Sequence, residues 1–388
     1  MIEIQDYRAS ERAARSVMPT WWLAASHQVD IFAQIGFPVR IESTHEVGQL
    51  IDTMQENRYA RFLQEFGGVS DDELRLLVNA LVQSVLFQRA HLPRRQPLVP
   101  LSTMTSALAL YKKIAAVRPT IGSILEVGPG CGYLSHFLAA HPLLDDYSQV
   151  EACESFYILQ SMINSHLFGH RFRDFAIGPA PQDQTLRTRK DVEPPMLIEE
   201  SVLPRHTCFH FPWWTLGALL ERKYDVVTSN ANLSEFSQPA LRDYLTIFSR
   251  AMKDDAIFVV QCTGFPGHST LDQLFDAFHE FKLAPVLCAL AHEVVTPAMA
   301  AGMTAAFASL GFDRREFALN TILLVKETHP LFHGAWDRRN YRHGFAVAFE
   351  PLAAMYRTDG PTRRPAREEV LALVQAELGK LDGPAATR

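Results

Sequence analysis

Ser123-Ile124-Leu125-Glu126-Val127-Gly128-Pro129-Gly130-Cys131-Gly132-Tyr133-Leu134-Ser135-His136-Phe137 is the stretch on which the reading of the fold turns. A short apolar run, of the kind that forms a buried parallel strand, passes through an acid and three closely set glycines into a segment with helical apolar spacing. This is a nucleotide cradle. Glycine lets the backbone turn tightly and lets a ligand approach the main chain with no Cβ in the way, and the helix start presents free N–H groups. The spacing is E-x-G-x-G-x-G. The dinucleotide fingerprint G-x-G-x-x-G would need glycine where Tyr133 stands, and no Lys-Ser/Thr pair follows as in a phosphate-binding loop. Glu151 ends the next apolar stretch, 147–150, and an acid at the tip of a second strand can hold both hydroxyls of a ribose.

Composition narrows the class. The chain has 388 residues, 47% of them apolar, as in an ordinary globular protein with a substantial core. A formal net charge of -6 argues against a nucleic-acid partner, since phosphate-tracking proteins carry a basic balance or stripe. The Arg-rich pieces 187–190 and Arg363-Arg364 are short and read as solvated surface. Five cysteines, widely spaced and without a C-x-x-C pair, suit a reducing cytoplasm. Residues 1–6 have no basic head leading into an apolar core, and no stretch reaches the roughly 18 apolar residues of a membrane span, so neither a signal peptide nor a membrane partner is expected.

Around the glycine turn the chain divides into three regions. Residues 1–100 read as a helical N-terminal domain, with a capping box at Ser70-Asp71-Asp72-Glu73, glycines Gly67-Gly68 closing the helix before it, and an aromatic pair, Trp21-Trp22, opening another apolar stretch. Residues 101–330 alternate strands and helices, which predicts an α/β doubly wound parallel sheet. Within them a helix over 102–117 leads into the first strand and another covers 155–168. A polar interruption at 169–204 has the length of a lid or binding loop. The third strand is 206–211, where His206, Cys208 and His210 alternate onto one face; with no partner motif elsewhere, no metal is expected. The fourth strand, 224–228, empties into Ser229-Asn230-Ala231-Asn232-Leu233-Ser234-Glu235, and the fifth, 256–260, into a loop ending at His268. Ligands in doubly wound sheets sit outside these carboxyl ends. Helices over 271–281 and 296–310 and a closing strand pair, 312–317 with 321–325, complete the region, and 331–388 form a C-terminal extension with one helix, 367–378.

The E-x-G-x-G-x-G turn resembles motif I of the class I S-adenosylmethionine (SAM) methyltransferases. The phrases 156–160, Phe211-Pro212-Trp213-Trp214 and 229–235 are similar to the bacterial sugar O-methyltransferases, which also carry a helical region before the catalytic one. The resemblance implies a Rossmann-like methyltransferase sheet with an antiparallel last strand and SAM as cofactor. It implies that Glu126, Gly128, Pro129, Gly130 and Gly132 hold the methionine end, Glu151 with Ala152 the ribose, and that Phe211, Pro212 and Trp213 lie beside the adenine. Ser229 and Asn230 would face the sulfonium. Where that family more often has an Asp-led turn, this chain has Glu151-Ala152-Cys153-Glu154, a longer acid that should still reach a ribose.

Methyl transfer from a sulfonium asks the protein to align a nucleophile, exclude water and, for a hydroxyl, supply a base. The expected activity is methylation of a hydroxyl on a small molecule, a sugar or natural-product intermediate, with Glu235 and His268 as candidate bases. Two alternatives stay open. One is a cyclase that turns SAM into azetidine-2-carboxylate and methylthioadenosine; the other is a non-catalytic SAM-binding interaction protein. The sequence leaves the acceptor and the oligomeric state undetermined.

Overall fold

A computed structural model of the chain describes residues 2–34, 36–54, 57–93, 95–177, 207–262, 269–289, 321–332, 345–346 and 360–382. The helices α1 (Ile4–Val17), α2 (Pro19–Gln34), α3 (Val47–Thr53), α4 (Tyr59–Glu65), α5 (Asp71–His91) and α6 (Leu101–Val117) come first. Local chemistry sets their ends. Ser70 Oγ accepts from Glu73 N–H at 3.3 Å while the Glu73 carboxylate accepts from Ser70 N–H at 2.9 Å, so the expected capping box starts α5. Gly67 and Gly68 sit at φ of 78° and 85°, and their N–H groups return to Gln64 and Leu63 carbonyls, closing α4.

The sheet follows: β1 (Ser123–Val127), α7 (Ser135–Leu138), β2 (Asp146–Glu151), α8 (Glu154–Phe168), β3 (Phe172–Asp174), β4 (Cys208–Pro212), β5 (Tyr224–Asn230), α9 (Gln238–Ala251), β6 (Met252–Gln261), α10 (Leu271–Glu280), β7 (Leu283–Ala289), β8 (Thr321–Lys326) and β9 (Phe345–Ala346). A last helix, α11 (Arg367–Asp382), packs back on α5. The strands lie in the order β3-β4-β2-β1-β5-β6-β8-β7-β9. From β3 to β6 neighbours are parallel, and β8 runs antiparallel to both β6 and β7. The doubly wound α/β sheet with an antiparallel late strand is therefore present. Chain order reverses around β1, whose neighbours are β2 and β5, and this switch point is where such sheets bind ligands.

Three sequence expectations need correction. Phe172–Asp174, read as part of the polar interruption, is an edge strand against β4, so the expected third strand is the fourth. β8 lies between β6 and β7, and β7 is a strand the sequence reading left unassigned. Pro285 hides it, because proline inside an apolar run argues against a strand; here it sits at a register shift between Pro285 and Leu287, where a ladder bond is missing anyway. The fifth strand extends to Met252–Gln261. The expected strand 312–317, the helix 296–310 and residues 178–204 lie outside the described residues.

The first helices and the sheet share one apolar cluster, running from Tyr7, Leu50, Leu81 and Ile114 to Ile124, Phe156 and Trp213. Tyr7 packs its ring 5.0 Å from both Tyr157 and Trp214, and Trp22 lies 5.4 Å from Trp213. Glu154, 1% exposed at the start of α8, accepts from Arg8 Nε at 3.0 Å, from the Arg40 guanidinium and from Ile41 N–H at 3.2 Å. A buried carboxylate costs several kcal/mol unless paired and hydrogen-bonded, so these contacts tie α1 and the 37–43 segment to the sheet layer. Among the described residues no helix is long and apolar enough to cross a membrane.

Candidate active site

The turn after β1 has the conformation its glycines foretell. Gly128, Gly130 and Gly132 have φ of 64°, 57° and 68°, in the left-handed region that L side chains rarely adopt. Gly128 has a second reason to lack a Cβ, since one would collide with the Asn232 amide. That amide donates to Val127 O at 2.6 Å and Gly128 O at 3.2 Å, and Ser229 Oγ donates to its oxygen. Asn232 thus clamps the turn from the tip of β5. It was not among the residues singled out from sequence, and Asn230 beside it was.

Two carboxylates flank the turn. Glu126, 4% exposed on β1, accepts from Tyr147 O–H and from Gln149 Nε2 at 3.1 Å, with Ser135 and Asn164 completing the network. Burial pushes its carboxyl up to about 7, against the pull of Tyr147 and Gln149. Glu151, at the end of β2, accepts from Ala152 N–H (2.8 Å) and Cys153 N–H (2.9 Å) on one oxygen and from Gln160 Nε2 (3.0 Å) on the other. Burial raises its pKa too, opposed by these donors. Three of its four lone-pair positions are filled, leaving one on Oε2.

A cavity of about 560 Å³ opens over the turn, within the range for a drug-sized ligand. Glu126, Gly128, Pro129, Gly130, Glu151 and Ala152 are among its lining residues. Asn230, Glu235, Gln261 and Lys113 line it beyond the tips of β5 and β6, and Phe32, Phe62, Phe156 and Tyr244 supply apolar wall from the first helices, α8 and α9. Ala231 and Cys262, which also line it, hold φ of 57° and 65° without being glycine. Strain of this kind persists where the surroundings over-determine it, and ligand sites are where it clusters. Lys113 is 3% exposed on α6. Its Nζ donates to Gln261 Oε1 at 3.1 Å, and Gln261 Nε2 is in turn anchored on Ser106 O and Oγ, both at 3.2 Å. Burial pulls the Lys113 amine down to about 7. Sequence reading passed over it, although it falls three residues after buried Leu110, on the inward side of the helix.

Some residues named from sequence lie away from this cavity. Phe211, Pro212 and Trp213 are buried at the end of β4 and do not line it: Phe211 stacks on Phe175 at 4.4 Å, and Trp213 packs on Trp22 of α2. Ser229 is buried behind the lining, bonded to Asn232, and Gly132 sits under Gln160 of α8. Glu235 is buried in the short turn Leu233–Glu235 at the cavity wall. His268 and His206 lie outside the described residues. Both ring nitrogens of His210 are engaged, by Ser161 and Gln160.

No family model matches the chain, and no curated protein matches it. Among solved structures it is similar to an O-methyltransferase family protein from Burkholderia thailandensis, at 10% identity and a TM-score of 0.33, over 57% of this chain and 56% of that one. It is also similar to an amino pentose methyltransferase from Micromonospora echinaspora involved in calicheamicin biosynthesis (14%, TM-score 0.26, 52% and 62%). A third is an O-methyltransferase from Streptomyces achromogenes involved in tomaymycin synthesis (16%, TM-score 0.29, 57% and 85%). The chain spans less than two thirds of the first two structures it matches. With the edge strands β3 and β9 set aside, the order β4-β2-β1-β5-β6-β8-β7, β8 alone running against the other six, and a glycine turn at the mouth of β1 make this the class I methyltransferase fold.

Proposed function

We propose that this protein uses SAM to methylate a hydroxyl of a small molecule held in the cavity. The supporting observation is the make-up of that cavity: a glycine turn flanked by two buried carboxylates, with Asn230, Glu235, Gln261 and Lys113 in the same lining. The residues suit SAM. Gly128 and Gly130 line the cavity, and at Gly130 a Cβ would find nothing nearer than Met54 Cε at 3.7 Å; Glu126 is a buried acid suited to an ammonium, and Glu151 keeps an acceptor position for a ribose hydroxyl. When bound, SAM supplies an electrophilic methyl on a sulfonium. Asn230, at the tip of β5, would orient the acceptor. The hydroxyl proton would pass to Lys113, which burial leaves about half in the neutral amine form near pH 7, with Glu235 as the second proton acceptor in the same wall. The aromatic wall excludes water.

The test is product analysis. SAM consumed only with an added hydroxyl compound, giving S-adenosylhomocysteine (SAH), supports methyl transfer; methylthioadenosine formed from SAM alone would replace it with internal cyclisation. SAM bound with no turnover across a broad acceptor set would point to the non-catalytic reading.

Binding should also report Glu126. Its carboxyl is half protonated near pH 7 in the free protein, and an ammonium is held by the ionised form. Affinity for SAH is therefore highest above pH 7 and falls as pH drops, approaching about tenfold per pH unit below it. Calorimetry from pH 5.5 to 8.5 checks this; Glu126→Gln should bind more weakly and lose the dependence, and a slope unchanged in the variant would remove Glu126 from this role.

A further inference from the structure

Gln160, on α8, joins the two sides of the nucleoside end of the site. Its Nε2 donates to Gly130 O at 2.6 Å and to Glu151 Oε2 at 3.0 Å. A backbone carbonyl only accepts, so Gly130 O gives the amide one orientation: reversed, Oε1 would face that carbonyl at 2.6 Å with no proton between them. Oε1 therefore points the other way, 2.9 Å from His210 Nε2. An amide oxygen accepts, so His210 must carry a proton on Nε2.

What holds that proton there lies further back. His210 is fully buried on β4, its ring stacked 3.8 Å from Tyr157. Nδ1 is 2.9 Å from Ser161 Oγ, which is 2.6 Å from Asp174 Oδ2. Asp174 Oδ1 accepts from Tyr157 O–H at 2.6 Å and from Ala176 N–H at 2.8 Å. Ser161 has one proton to give, so the chain closes in two ways. Either Nδ1–H donates to Ser161 and Ser161 to an ionised Asp174, or Ser161 donates to Nδ1 and a protonated Asp174 donates to Ser161. Both arrangements leave Nε2–H aimed at Gln160.

We propose that His210, backed by Ser161 and Asp174, is a positioning residue for the nucleoside site: it locks the Gln160 amide, which keeps the glycine turn and the β2 carboxylate in one register and leaves a single acceptor position of Glu151 for a ligand hydroxyl. The proposal rests on the SAM site above. It makes the outer strands β3 and β4, which do not touch the cavity through these residues, part of what sets ligand affinity.

The probe is SAH, titrated calorimetrically into the full chain, with thermal unfolding followed in parallel. His210→Leu, still unfolding cooperatively, is expected to bind SAH about tenfold or more weakly, the scale of one lost hydrogen bond to an oriented donor. His210→Gln, whose amide can place an N–H where Nε2–H stood, should stay within about threefold of the parent chain. Equal affinity in a folded His210→Leu and the parent overturns the proposal and leaves the SAM reading standing. A parent chain that does not bind SAH overturns that reading, and this proposal with it. Should His210→Leu fail to fold, ring nitrogen-15 shifts of the unaltered chain decide: a proton on Nε2, with or without one on Nδ1, is expected, and a ring protonated on Nδ1 only overturns the inference.

Discussion

Gly128→Ala is expected to weaken SAH binding by about a hundredfold and to destabilise the fold by roughly 3 kcal/mol, the sum of left-handed strain and broken hydrogen bonds. The residue sits at φ of 64°, where a Cβ crowds its own backbone, and that Cβ would land on the Asn232 amide. Asn232 can move only by giving up its bonds to Val127 O, Gly128 O and Ser229, which fix the turn against the tip of β5. Gly130→Ala is the internal control. It shares the conformation, at φ of 57°, but its Cβ would meet only Met54 Cε at 3.7 Å, an ordinary contact. Strain alone, about 1 kcal/mol, should follow. Denaturant titration and SAH calorimetry on both variants check the pair; equal effects would mean that Asn232 does not brace the turn.

Lys113→Met should act in opposite directions on stability and on turnover. A lysine whose folded pKa is about 7 against 10.5 unfolded binds fewer protons when folded throughout that window. The parent chain's stability therefore climbs as pH rises from 7 towards 10.5, and at pH 7 burial of the amine costs up to roughly 5 kcal/mol. Methionine removes that cost and gives back about 1 kcal/mol by leaving Gln261 Oε1 without its donor. Tm at pH 7 should rise by several degrees and lose its increase towards pH 10. Turnover of a hydroxyl acceptor should fall about a hundredfold, the scale of a lost general base, with SAH affinity held. A variant less stable than the parent at pH 7, with the alkaline rise in Tm intact, would show that Lys113 is an ordinary charged lysine. A liability of this size in a cavity wall is the usual mark of a residue retained for activity.

The fold was legible where several signals coincided at one place. At 123–137 an apolar strand, an acid, glycines at alternate positions and a helical stripe all ask for the same strand-turn-helix, and the structure builds β1, the turn and α7 there. The parallel sheet followed from alternation of strands and helices alone, whereas its strand order, and with it the switch point at β1, did not. Features that needed a third dimension stayed hidden. Phe172–Asp174 is too short to carry a period, and Pro285 masks β7 because a bulge cannot be read from composition. The cavity end of the site was half visible. Glu126 and Glu151 announce themselves at strand tips, whereas Asn232 looks like one more turn former and Lys113 like one of two adjacent surface lysines until burial is known. The aromatic run 211–214 reads equally well as ligand wall or packing, and in the structure its first three residues pack.

The continuous apolar cluster beneath α1 to α6 bears on how this protein can be taken apart. Phe32, Phe62 and Lys113 belong to the wall of the ligand chamber, and Glu154 has its cationic partners Arg8 and Arg40 on the far side of the same seam. Excising the leading helices would unroof the chamber, strip Tyr157 and Trp214 of their neighbour Tyr7, and strand a carboxylate in an apolar breach. Engineering that changes what the chamber holds thus has to begin by redrawing the roof in place, residue by residue, because no detachable cassette carries it.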